Sequence, residues 1–198
     1  MKKFKDYETT QAYTNVERLP IGGYVIKIEN VKFEEGTNGM SDRIALMFDI
    51  AEGEFKGFFR TNYENQTQED KKWKGTYRIY CPKDDGSEQD TWTKRRFKTI
   101  MEAFEDSNPG FVWNWDEKLL KGKIIGAIFN DKEYELNGKH GFFTNCYSLV
   151  KAEDIRKGNF KIPEATLLKT KSAAPVPRTD IGDGFMNIPD GVDEEIPF

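Results

Sequence analysis

The chain has few of the residues that metal sites and catalytic centres need, with one His and two Cys among 198 residues. His140 has no Cys or carboxylate cluster beside it, and a zinc site needs more ligands than one His and two isolated thiols. Cys81 and Cys146 lie far apart in strand-like segments, which predicts reduced, buried thiols. No segment matches the phosphate-binding pattern G-x-x-x-x-G-K-[ST]. The composition therefore predicts a binding protein without a cofactor or metal, rather than an enzyme.

Long apolar runs are also missing. No stretch approaches the roughly 20 apolar residues that a membrane-spanning helix needs. The start of the chain, Met1 to Tyr7, carries charges with no apolar segment after them, so we expect no secretory signal. We therefore expect a cytoplasmic protein with one domain over residues 1–165, long enough to bury a core.

Charge is divided unevenly along the chain. Residues 172–198 contain one Arg and six Asp or Glu, a net charge of −5, whereas residues 1–171 have a net charge of +1. Residues 166–189 are small and Pro- and Gly-containing without helical or strand period, which predicts a disordered, flexible linker. Residues 190–198 then form an acidic tip.

The tip combines acids with a terminal aromatic residue, a composition suited to capture by a partner protein. A basic surface attracts the acids, an apolar pocket accepts the last ring, and an Arg or Lys binds the terminal carboxylate. A frayed acidic end is the simpler alternative. The predicted partner-binding residues are Asp193, Glu194, Glu195, Ile196, Pro197 and Phe198.

Apolar periodicity predicts a mainly β body. The predicted strands lie over 24–33, 44–50, 74–81, 124–136 and 142–150. The first strand changes apolar phase near Glu29–Asn30, which indicates a β-bulge. A helix capped by Asp90 or Thr91 ends before Asn108, and an Asn137–Gly138 turn joins the last two strands. This order is that of the five-stranded OB-fold Greek-key barrel, with one helix between strands 3 and 4.

Basic and aromatic residues recur near strands 2 and 3, where an OB-fold binds oligonucleotides. Single strands need cations for phosphates and aromatic faces for bases. A solvated, structural role is the commoner alternative for any one residue, but the joint pattern favours a binding surface. The candidate DNA-binding residues are Arg43, Arg60, Lys71, Lys72, Trp73, Lys74, Arg78, Tyr80, Trp92, Lys94 and Arg95, with Tyr63 in the same loop as Arg60.

Two alternatives remain open. Asp131, Glu133 and Glu135 alternate on one strand, as ligands of a metal-dependent nuclease would, although an exposed hairpin face also explains them. The barrel could instead be a scaffold without DNA-binding activity, in a protein-interaction adaptor whose functional part is the acidic tip.

The tip Asp193–Phe198 resembles the C-terminal tip of bacterial single-stranded DNA-binding proteins, which ends in several acids followed by Ile-Pro-Phe. Segments 48–58, 71–75 and 153–163 are similar to a phage and prophage family of Gram-positive hosts, often described as a domain of unknown function and sometimes as single-stranded DNA-binding. The resemblance implies a protein of the host cytoplasm that coats single-stranded DNA during phage replication and recombination. The tip would recruit replication and recombination proteins. The body lacks the bacterial family's own sequence pattern, so the oligomeric state, monomer or homo-oligomer, stays open.

Overall fold

The computed structural model describes Lys5, Tyr7 and residues 18–168 apart from Asn38 and Asn137. The acidic tip and most of the predicted linker lie outside the described residues. The elements are β1 (Gly22–Glu34), β2 (Arg43–Ile50), α1 (Phe58–Glu64), β3 (Thr76–Tyr80), α2 (Glu88–Ser107), a 3-10 helix (Glu117–Leu120), β4 (Ile124–Leu136), β5 (Lys139–Val150) and α3 (Ala152–Arg156).

The described strands form a five-stranded antiparallel sheet in the order β3-β2-β1-β4-β5, which confirms the predicted mainly β class. Residues 26–34 of β1 pair with β2, and residues 22–27 pair with β4. The predicted helix between strands 3 and 4 is α2. None of the helices in the described part of the chain is long and apolar enough to span a membrane.

The predicted bulge is confirmed in β1. Ile28 lies opposite Phe48 and Asn30 opposite Met47, so Glu29 is the additional residue. An additional residue shifts the alternation of side chains by one position. Val31 therefore faces the same side of the sheet as Ile28, and both can contribute to one core from a single long strand.

The core lies between one face of the sheet, here called the inner face, and α2. Leu46 and Phe48 from β2 are almost fully buried, as are Phe104 of α2 and Phe129 of β4. The Phe48 ring contacts those of Phe59 and Phe129 edge to face, with centroids 5.4 and 6.1 Å apart. Burying such a side chain contributes about 1.5–3 kcal/mol to stability, so these aromatic contacts hold α1 against strands β2 and β4.

Helix α2 packs against both edge strands of the sheet, β3 and β5. Its Arg96 donates a hydrogen bond to Tyr77 Oη of β3 at 2.8 Å. Burial, the largest effect, raises the pKa of Tyr77, Arg96 opposes this shift, and Cys146 and Tyr147 of β5 add to it.

The start of α2 differs from the prediction. Ser87, rather than Asp90 or Thr91, is the N-cap, and its Oγ accepts a hydrogen bond from Asp90 N at 3.1 Å. Asp90 Oδ1 accepts from Lys83 N and Asp84 N, at 2.9 and 3.1 Å. Ser and Asp are both common N-cap residues. Asp90 does not cap α2 because its carboxylate accepts hydrogen bonds from the N–H groups of the preceding loop.

Helix α1 is an element that the sequence did not predict. A residue of strand β2 caps the N-terminus of α1. The buried Asp49 carboxylate accepts hydrogen bonds from Phe59 N and Arg60 N at 2.9 and 3.2 Å. The first N–H groups of a helix need partners outside it. A partner ten residues away on another element leaves no local signature in the sequence.

Residues 164–168 extend along β4. Thr166 N donates to Asp131 O at 2.8 Å, and Thr166 O accepts from Glu133 N at 2.9 Å. The fully buried Asn130 donates through Nδ2 to Glu164 O and to Thr166 Oγ1, at 2.9 and 3.1 Å. The start of the predicted linker is therefore bonded to the body as far as Leu168, whose N–H donates to Glu133 Oε2 at 3.1 Å.

Candidate nucleic-acid interface

Three aromatic and basic side chains meet where the chain enters β3. The Tyr63 and Trp73 rings are tilted against each other with centroids 5.8 Å apart, and Lys71 Nζ lies 5.8 Å from the Tyr63 centroid. Lys72 and Lys74, on either side of Trp73, are exposed. We call these five residues the Tyr63 cluster.

Within the cluster, Trp73 is anchored and Tyr63 is exposed. The Trp73 indole N–H lies 3.0 Å from Phe48 O and 3.1 Å from Gly75 O, and its ring packs against the core. Tyr63, at the end of α1, is 36% exposed. A base can stack only on an accessible ring face, so Tyr63 is the ring of this pair that is open to a ligand, and Trp73 packs against it from the core side.

The loop that carries the lysines is held in place by one amide side chain. Gln66 Oε1 accepts a hydrogen bond from Lys72 N, and Gln66 Nε2 donates one to Lys72 O, both at 2.8 Å. Lys71 Nζ donates to Glu64 O at 3.0 Å. These bonds fix the backbone that presents the three lysines, while the Lys72 and Lys74 side chains remain exposed to solvent.

A second group of candidates lies on the outer face of the sheet, opposite the core. Register places Tyr80 of β3 across from Arg43 of β2, and Arg43 across from Glu34 of β1. Glu34 Oε2 lies 3.3 Å from nitrogens of both Arg43 and Arg78. Two arginines therefore share one counter-ion, which leaves a positive charge on this face.

Arg60 lies on α1, the helix that also carries Tyr63, and its guanidinium lies 3.5 Å from Glu29 of the β1 bulge. Its side chain is 59% exposed. Sequence reasoning missed the two glutamates Glu29 and Glu34, because their pairing with these arginines depends on strand register and on the bulge.

The remaining candidates belong to α2. The Arg95 guanidinium lies 5.6 Å from the centroid of the Trp92 ring, which is 41% exposed, a cation–π contact. Lys94 forms ion pairs with Asp84 and Asp90, and the hydrogen bonds that it donates to these carboxylates raise its pKa. Lys94 thus neutralises the acids at the helix start. These three residues belong to α2, whereas the other candidates belong to α1, β2, β3 and the loop before β3.

The acids considered for a metal site each have a local partner. Asp131 pairs with Arg18, Glu133 Oε2 accepts a hydrogen bond from Leu168 N, and Glu135 lies 3.4 Å from His140 Nε2. Within the described ranges, no group of three or more His, Cys, Asp or Glu side chains could hold a metal ion.

The two cysteines are free thiols, half-buried rather than buried as predicted. Burial raises the pKa of Cys146. Burial is also the largest cause of the raised pKa of Cys81, to which the carboxylates of Asp42 and Glu117 contribute. Both thiols are therefore held in their neutral form near neutral pH, which does not favour a nucleophilic role.

Sequence reasoning also missed Trp115, whose exposed ring stacks on Phe97 of α2. The sequence gives one indication of this exposed ring, since Asn114 and Asp116, two residues common in turns, flank Trp115.

No protein-family model matches the chain, and no curated protein matches it.

Proposed function

We propose that the chain is a single-stranded DNA-binding protein with an OB-fold. Three features support this fold: the strand order with β1 between β2 and β4, the bulge that lets β1 serve both neighbours, and α2 between β3 and β4. The packing of α2 against both edge strands, β3 and β5, supports a partly open barrel.

The observation that carries the proposed activity is the Tyr63 cluster. It places an exposed aromatic ring, supported from beneath by an anchored tryptophan, beside three lysines. A base stacks on Tyr63 while neighbouring phosphates contact Lys72 and Lys74. Stacking contributes about 1–3 kcal/mol per base, so one such ring with several cations supports a useful affinity.

The outer face of β1, β2 and β3 extends this surface. A phosphate that binds Arg43 and Arg78 replaces Glu34 as their partner, which is feasible because exposed ion pairs contribute only about 0–1 kcal/mol. Contacts to phosphates and to the faces of bases carry little sequence information. The protein therefore coats single-stranded DNA without strong sequence preference.

The acidic tip supplies the second half of the proposal, which rests on its resemblance to bacterial single-stranded DNA-binding proteins. Asp193–Phe198 recruits replication and recombination proteins in the cytoplasm of a bacterial host during phage replication and recombination. The net charge of −5 over residues 172–198 also lets this region compete with DNA for the basic surface. DNA binding then releases Phe198 for partners.

Fluorescence anisotropy with a labelled oligothymidylate tests the proposal in Mg²⁺ and in EDTA. We expect saturable binding in both, with an affinity that falls steeply as salt rises, because about five phosphate contacts give a log–log slope of about −3.5. Absence of binding would leave the barrel as the scaffold of an adaptor. Shortening of the oligonucleotide in Mg²⁺ alone would indicate a nuclease.

A matched pair of variants locates the site. Lys72→Ala removes an exposed cation of the Tyr63 cluster, and Lys98→Ala removes one from α2, where its side chain is 78% exposed. We expect the first to weaken binding and to reduce the salt slope by about 0.7, as for one lost phosphate contact. The second should match the wild type. Equal affinities of the two variants would place the site elsewhere.

A further inference from the structure

Trp115, in the loop between α2 and the 3-10 helix, combines high exposure with an unusual backbone. Its side chain is 78% exposed, and its φ angle is 71°. A positive φ is unfavourable for a bulky L-residue and persists only where the surroundings impose it. Such a conformation points to a role that requires the ring in this place.

Hydrogen bonds on both sides impose this backbone. Asn114 Oδ1 accepts from Asp116 N at 3.2 Å, and Asp116 Oδ1 accepts from Lys118 N at 3.0 Å. Before them, Trp113 N donates to Glu105 Oε1 of α2 at 2.8 Å. Trp115 is therefore presented by a built turn, rather than exposed because the loop frays.

The ring is also held from behind. It stacks on Phe97 of α2 with an interplanar angle of 10° and centroids 6.1 Å apart, and the Trp113 ring lies 6.2 Å away. Phe97 is only 7% exposed and belongs to the core. One indole face thus rests on the body of the protein, and the high exposure of the side chain leaves the other accessible to a planar ligand.

The loop lies against the part of α2 that contacts β3. The Trp115 ring stacks on Phe97, and the neighbouring Arg96 donates a hydrogen bond to Tyr77 Oη of β3 at 2.8 Å. Asp90, at the start of the same helix, accepts a hydrogen bond from Lys83 N, just after β3, at 2.9 Å. The Tyr63 cluster lies at the opposite end of β3. Because a strand rises about 3.3 Å per residue, β3 spans roughly 13 Å from Thr76 to Tyr80.

We propose that Trp115 is a second base-stacking platform, which extends the path of single-stranded DNA beyond the end of β3. This inference rests on the proposed function and adds to it a length requirement. An oligonucleotide that fills only the Tyr63 cluster does not reach Trp115, whereas one that follows the whole of β3 does. OB-folds contact about 4–16 nucleotides, a range that includes both lengths.

Two substitutions at Trp115 provide the test. Trp115→Asn removes the ring and suits the left-handed backbone, which Asn tolerates well, so the fold should survive. Trp115→Phe keeps an aromatic face. Anisotropy is measured with oligothymidylates of about 5 and about 15 nucleotides, lengths chosen from the range of OB-fold sites. Circular dichroism melting checks that each variant is folded.

We expect Trp115→Asn to weaken binding of the long oligonucleotide on the order of tenfold and to leave the short one unchanged. Trp115→Phe should restore most of the loss. Wild-type affinity of Trp115→Asn for both lengths would overturn the inference while the proposed function stands, and wild-type protein that binds neither would overturn both. Val112 and Leu119 nearby are 72% and 41% exposed, so light scattering is also measured. A lower mass of Trp115→Asn with unchanged DNA binding would assign the ring to a protein interface and overturn the inference.

Discussion

The carboxylate of Glu34 lies beside Arg43 and Arg78 on the outer sheet face, where it can compete with a phosphate for both arginines. Its carboxylate oxygen lies 3.3 Å from nitrogens of both Arg43 and Arg78. Exposed pairs of this kind stabilise a protein only slightly. In the proposed complex with DNA a phosphate replaces Glu34, so acids as well as bases of this face would set the affinity.

Glu34→Gln should tighten binding of an oligothymidylate about two- to fivefold at low salt, the equivalent of roughly 0.5–1 kcal/mol for an exposed pair. The gain should disappear at high salt because screening weakens both the repulsion and the attraction. Glu102→Gln, which removes the same charge from α2, is the control. Anisotropy titrations that show equal affinities for the two variants would contradict the competitor role of Glu34.

Tyr63 and Trp73 should respond differently to removal of the ring. Trp73→Ala removes the indole donor to Phe48 O and Gly75 O and leaves a gap beside the core, so we expect a loss of about 2–4 kcal/mol in the free energy of unfolding. Tyr63→Ala should cost little stability but about 1–3 kcal/mol of DNA affinity. Tyr63→Phe should bind as the wild type does. Urea titration and anisotropy measure the two effects, and the opposite pattern would reverse the roles assigned to these rings.

At the scale of elements, the parts of the fold that the sequence predicts are those specified by their own residues. The bulge in β1 could be predicted because the apolar phase changes within the strand, and α2 because its apolar period is sustained. Helix α1 could not, since Asp49 caps it from β2. The same limit applies to the interface, where the basic residue types could be predicted but their counter-ions Glu29 and Glu34 depend on register.

The start of α2 should make stability depend on acid pH. Hydrogen bonds from Lys94 hold the pKa of Asp90 below its ordinary 3.8, although burial opposes the shift. A lowered folded-state pKa stabilises the protein fully above the unfolded value, and the stabilisation is lost as pH falls through the folded value. Melting temperatures should therefore fall below about pH 4. Asp90→Asn should flatten this fall, whereas Glu102→Gln should keep it, and parallel curves would exclude Asp90 as a cause.

At the scale of the whole molecule, two parts of opposite character share one chain. Residues 1–171 have a net charge of +1, and residues 172–198 have a net charge of −5. The described body presents cations on α1, β2, β3 and the loop before β3, to which the acidic region offers complementary charge. We therefore propose that affinity for DNA and recruitment of partners are linked through electrostatics rather than through a shared surface.

Deletion of residues 190–198 should tighten DNA binding at low salt, because it removes four of the six acids of residues 172–198. It should also abolish recruitment of replication proteins in a pull-down from host extract. Phe198→Ala is the matched variant, expected to lose recruitment while its DNA affinity stays that of the wild type. Unchanged affinity after the deletion would contradict competition and leave recruitment standing.

The bonds between Thr166 and β4 also determine where proteases can act on the chain. A protease binds its substrate as an extended, unpaired segment, but Thr166 already donates to Asp131 O and accepts from Glu133 N. Limited trypsin digestion should therefore spare Lys161 and cut after Lys169 or Lys171, which mass spectrometry can read. The protease-resistant fragment would then include Leu168 and have a net charge close to zero, and the released C-terminal peptide would carry nearly all of the net negative charge.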